Sequence, residues 1–133
     1  MRIAAHVGLK DEAELVEPCL EQLYAIGVDY IVATDMGSRD GSVEILRTRT
    51  DSTRFRLVEC DDREPGALSD WMARSTRLMR ESGADWAVFL DADELLLPRE
   101  GDLRRCLANV DADVLLVDRF NVPLTDEGLD LPY

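Results

Sequence analysis

The chain of 133 residues has one histidine, one lysine and three cysteines, and each scarcity narrows what it can do. With His6 alone, no Ser-His-Asp or Cys-His constellation can be proposed. His6 sits inside the apolar run Arg2 to Leu9, where a buried, satisfied ring is expected rather than a base. Cys19, Cys60 and Cys106 are odd in number, far apart and without a C-x-x-C spacing, which argues against a disulfide framework or a zinc site. They read as small buried residues in a reducing compartment. No apolar run approaches the roughly 20 residues of a membrane span. Met1-Arg2-Ile3 enters an apparent strand without a secretory pattern, so the expected location is cytoplasmic. Positive charge is also short: 15 Lys and Arg against 28 Asp and Glu leave a net charge of -13. A nucleic-acid partner is therefore not expected, because polyanion binding needs a basic footprint. An anionic membrane surface is disfavoured for the same reason, although a local arginine patch leaves room for a peripheral position at the inner face. The sequence has no internal repeat and no low-complexity segment.

What is present centres on Trp86-Ala87-Val88-Phe89-Leu90-Asp91-Ala92-Asp93-Glu94. The apolar part predicts a strand covered on both faces. The carboxylates then fall at its C-terminal end, the rim where open α/β sheets bind ligands. Mg²⁺ and Mn²⁺ prefer oxygen ligands and share one or two carboxylates with substrate phosphates. Two close carboxylates also repel, which favours recruiting a cation. Asp91 and Asp93 are thus the candidate metal ligands, with Glu94 behind them or simply solvated. In so acidic a chain, chance Asp-x-Asp pairs are expected, and Asp111-Ala112-Asp113 is one. It precedes the strand predicted over Val114 to Val117, which puts it on the opposite rim.

Alternation extends through the chain. Strands are predicted over Arg2 to Leu9, Tyr30 to Thr34, Phe55 to Cys60, Trp86 to Leu90 and Val114 to Val117. Helices are predicted over Ala13 to Ile26, Ser42 to Arg49, Ala67 to Ser82 and Asp102 to Val110, with Pro18 delaying or kinking the first and Gly27 stopping it. Residues 119–133 read as an irregular tail. This order predicts an α/β fold: a layered, open, mainly parallel sheet with flanking helices, Rossmann-like, in one domain over residues 1–133. Right-handed crossovers put the strand ends on one rim, with Lys10-Asp11-Glu12, Asp35 to Gly41, Asp61-Asp62 and Asp91-Ala92-Asp93.

Each rim loop has a chemical and a plain reading. Asp35, at the end of strand two, suits the imide of a nucleobase or a ribose hydroxyl, while Gly37, Ser38, Asp40 and Gly41 are also ordinary turn and capping residues. Lys10 suits a phosphate; Asp11 suits a helix N-cap. Arg74 suits a diphosphate only if it leaves the solvated face of its helix, and Trp71 reads as core.

These motifs, in this order, resemble the N-terminal half of inverting family 2 glycosyltransferases of the GT-A fold, in the bacterial subgroup that opens with Lys-Asn-Glu-Ala. Here that motif stands as Lys10-Asp11-Glu12-Ala13, with Asp11 in place of Asn. Gly27-Val28-Asp29-Tyr30-Ile31-Val32 and Asp35-Met36-Gly37-Ser38-Arg39-Asp40-Gly41 follow, the latter close to Asp-x-x-Ser-x-Asp-Gly. Gly83-Ala84-Asp85-Trp86 then leads to Asp91-Ala92-Asp93-Glu94, so the likeness covers roughly residues 2–98. The resemblance implies a UDP- or GDP-linked sugar donor and a saccharide or other hydroxyl acceptor. It implies nucleotide contacts from Asp35, Lys10, Ser38 and Asp91, and Mn²⁺ or Mg²⁺ on Asp91 and Asp93. A GT-A domain usually runs about 100 residues further, and its base comes from that part. The expectation is therefore a donor-binding half, truncated at its C-terminus and without an identified catalytic base. A homo-oligomer is compatible with this reading.

Two rivals remain at this level. One is a nucleotide-binding module or fragment without turnover. The other is a haloacid-dehalogenase-type phosphohydrolase, which also places Asp-x-Asp after an apolar strand. There a small-polar continuation near the N-terminus is usual, whereas here Glu94-Leu95-Leu96 follows at position 94.

Overall fold

The computed structural model describes residues 1–50, 52–60 and 67–120, with backbone alone at 67–69. Four strands, β1 (Ile3–Leu9), β2 (Tyr30–Asp35), β3 (Phe55–Glu59) and β4 (Trp86–Asp91), form one parallel sheet in the order β3-β2-β1-β4. The helices are α1 (Val16–Ala25), α2 (Ser42–Arg47), α3 (Ala67–Glu81) and α4 (Leu103–Leu107). The fold is the expected α/β layering.

The handedness of crossovers explains where the helices lie. The steps from β1 to β2 to β3 run one way and carry α1 and α2 onto one face. The step from β3 to β4 runs back across the sheet and carries α3 onto the other. Ile3, Val7, Leu20, Leu23, Ile31 and Leu46 pack on the first face, together with Leu103 and Leu107 of α4. Ala4, Tyr30, Val32, Val58, Trp71 and Met79 pack on the second. β1 lies between both layers and is buried along its whole length.

Local sequence sets the element ends. Pro18 falls in the first turn of α1, where its missing N–H costs no hydrogen bond, and the helix starts at Val16 rather than Ala13. It stops at Gly27, whose φ of 101° suits glycine, while the Val28 N–H donates to the Leu23 carbonyl at 3.0 Å. Asp102 caps α4 by accepting from the Arg104 and Arg105 N–H groups.

Two expectations are corrected. β4 is not covered on both faces: Trp86, Val88 and Leu90 face the α1 core, but Phe89 is 49% exposed and Ala87 and Asp91 are exposed. α3 packs over β2 and β1 and leaves this edge strand open. A continuous apolar run does not distinguish one covered face from two. The fifth strand does not form either: residues 111–120 have no helix or strand, and Leu116 is 98% exposed. A four-residue apolar run has no strand geometry without a ladder partner, and nothing described pairs with it. Residues 121–133 and the Asp61-Asp62 loop lie outside the described residues. Among those described, no helix is long and apolar enough to cross a membrane.

Candidate functional site

β1 lies inside the order β3-β2-β1-β4, with β2 on one side and β4 on the other. The chain after β4 runs, like α1, over the α1 face, where the Gln22 amide donates to the Leu96 carbonyl and Leu103 and Leu107 join the core. The carboxyl ends of these parallel strands and the loops that follow them frame the crevice in which open α/β sheets bind ligands. Gly8 of β1 pairs with Asp91 of β4, and the next residue, Leu9, pairs with Asp35 of β2. The two acidic strand ends therefore flank the end of β1, about 10 Å apart at two strand spacings. Strand alternation turns Asp91 toward the α3 face and Asp35 toward the α1–α2 face. Asp91 is exposed, whereas Asp35 is 2% exposed.

Asp35 has a local task. Its carboxylate accepts the Gly37 N–H at 3.0 Å and the Ser38 N–H at 3.2 Å. It thereby ties the turn that leaves β2. The Ser38 hydroxyl in turn accepts the Asp11 N–H at 2.9 Å, and Asp11 accepts the Arg39 N–H at 2.7 Å. Asp11 is the one described non-glycine residue at positive φ, 56°, a conformation aspartate tolerates. It caps the neighbouring loop instead of α1. Asp40 accepts the Ala13 N–H at 2.8 Å and both the N–H and hydroxyl of Ser42. These bonds hold the Asp40 carboxyl below the usual carboxylate range, led by the Ser42 hydroxyl. The two loops are thus one hydrogen-bonded unit. Asp35→Ala leaves two turn N–H groups without their acceptor, and a loss of about 1–3 kcal/mol is expected by urea denaturation without nucleotide. Asp35→Asn, which keeps an acceptor oxygen, is expected to lose less.

At the other side of β1, the Asp91 carboxylate lies over Gly8. A Cβ on Gly8 would stand 3.0 Å from Asp91 Oδ1, so the glycine makes room for the acid. Glu94 folds back, and its Oε2 accepts the Asp91 N–H at 2.9 Å. Ala92 is buried and continues the ladder to the Gly8 carbonyl, while Asp93 is exposed beyond it. Asp93 lies toward the β1–α1 loop. There burial first, and then the charges of Asp93, Asp40 and Asp11, raise the Glu12 carboxyl. Burial, with help from Asp93, pushes the Cys19 thiol up to about 11. Lys10 is exposed at the end of β1.

Asp91 and Asp93 are exposed at the crevice and carry hard oxygen donors of the kind Mg²⁺ and Mn²⁺ prefer. Among the described residues no group of three or more His, Cys, Asp or Glu side chains converges as a ready-made cage. A carboxylate pair that shares its cation with substrate phosphates does not require one.

Beneath Asp91, on the α3 face left open beside β4, lies a concavity of about 160 Å³ lined by His6, Phe89, Leu90, Asp91, Glu94 and Arg119. The His6 ring stacks on Trp71, with centroids 5.0 Å apart, and its Nε2 bonds Thr34 Oγ1 at 3.0 Å. Thr34 Oγ1 bonds Ser75 Oγ at 3.0 Å. Burial lowers the ring to about 4, so it is neutral at ordinary pH.

Lys10, Asp35, Ser38, Asp91 and Asp93 all belong to the loops and strand ends around the β1 terminus, but Asp35 and Ser38 are already engaged in the turn. Arg74 is exposed on α3, and Asp111 and Asp113 are exposed outside any strand. Sequence reasoning missed Gly8 and Arg119. A glycine inside a strand marks close approach, which was a usable signal for Gly8. Nothing in sequence links Arg119 to Glu94. No protein-family model matches the chain, and no curated protein matches it.

Proposed function

We propose that this chain is the donor-binding half of an inverting glycosyltransferase. It would use a UDP- or GDP-linked sugar and a hydroxyl acceptor, with Mn²⁺ or Mg²⁺ held by Asp91 and Asp93. The observation that carries this reading is the pairing of Gly8 with Asp91 and Leu9 with Asp35 at the carboxyl edge of the sheet. That arrangement supports a ligand lying across the end of β1, with its base toward Asp35 and its diphosphate toward Asp91 and Asp93.

In this reading the laced β1–α1 and β2–α2 loops hold the nucleoside end rigid before the ligand arrives, which reduces the ordering cost of binding. Lys10 offers a point charge to phosphate. The cation, when bound, neutralises charge on the departing diphosphate. The acceptor hydroxyl attacks the anomeric carbon in one displacement, and its proton goes to a carboxylate base that is not assigned among the described residues. His6 is not that base, because its ring is buried and its Nε2 is engaged by Thr34.

Calorimetric titration of UDP and GDP with and without Mn²⁺ tests the reading. Binding that requires the metal is the expected result; no binding of either nucleotide by the folded protein overturns it. Hydrolysis of a UDP- or GDP-sugar separates an enzyme from a binding module. Gly8→Ala is expected to leave the fold intact and weaken metal-dependent binding about two- to threefold, ~0.5 kcal/mol, because the exposed Asp91 carboxylate must give way slightly to the new Cβ.

A further inference from the structure

The concavity beside β4 contains a cation that the sequence did not connect to the acidic pair. Arg119 pairs with Glu94 Oε1. Glu94 Oε2 accepts the Asp91 N–H at 2.9 Å. One carboxylate thus bridges the Asp91 backbone and the Arg119 guanidinium, and Arg119 is carried to the same recess as Asp91.

We propose that Arg119 is a phosphate-binding residue held in reserve: Glu94 parks its guanidinium in the free protein, and a bound nucleoside diphosphate takes it over. This rests on the nucleotide reading of the same site. Formal charge is the first reason. Two carboxylates cancel a divalent cation, and Lys10 alone matches only part of the charge of a diphosphate. The surroundings add to this, since Asp11, Glu12 and Asp40 line the other side of the crevice, and burial, then the charges of Asp93, Asp40 and Asp11, raise the Glu12 carboxyl. A further cation is needed on the β4 side, and Arg119 is there.

Geometry and cost are the second reason. A guanidinium presents a planar fork that matches phosphate oxygens as well as it matches a carboxylate. The Arg119 side chain is 71% exposed, and an ion pair so open to water contributes little. Leaving Glu94 for a phosphate is therefore inexpensive. Residues 111–120, which carry Arg119, belong to no helix or strand, so no regular element must break for the side chain to shift. Glu94 itself stays fixed by the Asp91 N–H.

The test titrates UDP, GDP and uridine, each with Mn²⁺, into wild type, Arg119→Ala and Glu94→Gln. Arg119→Ala is expected to weaken UDP or GDP about tenfold and to leave uridine unchanged. Glu94→Gln keeps an acceptor for the Asp91 N–H but loosens the hold on Arg119, so diphosphate binding is expected to tighten by about two- to threefold, the size of so exposed a pair. Opposite signs in the two variants support the transfer. Wild-type affinity in Arg119→Ala, or weakening in both variants, overturns it while leaving the nucleotide site standing. If the wild type binds neither diphosphate, the nucleotide reading itself fails, and this inference with it. Far-UV circular dichroism confirms that each variant is folded.

Discussion

Asp93→Ala is expected to abolish Mn²⁺-dependent binding of UDP and GDP, a loss of at least ~100-fold or about 3 kcal/mol. The size follows from what remains. Asp91 alone would share the cation with phosphates and water, and a hard divalent ion held by one carboxylate gains little over solvent. The fold should not change, because Asp93 is exposed beyond the last ladder bond of β4 and caps nothing described. Its removal should also relieve Glu12, whose carboxyl is raised in part by Asp93. Asp113→Ala is the matched control. It removes an acid from the second Asp-x-Asp, which is exposed and outside any strand, and should leave binding unchanged. Equal titrations for Asp93→Ala and wild type would remove the metal role from this pair.

The second large effect is on stability, through His6. Its ring titrates near 6.5 when exposed in the unfolded chain and near 4 in the folded protein, because burial disfavours the charged form. Between these values the unfolded chain binds more protons, so stability rises with pH. The contribution is complete above pH 6.5, is lost as pH falls and levels off below about 4. The full swing is on the order of 3 kcal/mol, a large share of the stability of a small domain. His6→Gln, which does not titrate, should flatten urea-derived stability across this window, with wild type converging on or below it at acid pH. An unchanged acid slope in the variant would assign that slope to other groups. The same substitution tests the buried chain from His6 through Thr34 to Ser75, since glutamine keeps a polar group for Thr34.

Several features were legible before the structure. Apolar runs at Arg2 to Leu9 and Tyr30 to Thr34, separated by an amphipathic segment ending at Gly27, already predict the parallel βαβ unit that forms with β1 and β2. Pro18 and Gly27 set the ends of α1 by backbone chemistry, which is local. The burial of Trp71, Ser75 and Met79 on α3 follows from helical spacing. The unformed strand at 114–117 and the open face of β4 were not legible. Both depend on whether another element lies alongside, and hydropathy reports a side chain's preference rather than the presence of a partner.

The site divides along the same line. Sequence alone determined that Asp35, Asp91 and Asp93 stand at strand ends, because strand direction and the crossover rule follow from the chain's own alternation. Tertiary structure alone decided their employment. The one-residue offset in β1 pairing sends Asp91 to one face and Asp35 to the other. Gly8 opens space for Asp91, the turn engages Asp35, and Glu94 brings in Arg119. Those outcomes depend on registers and contacts between segments distant in sequence, and no local pattern encodes a distance across the sheet.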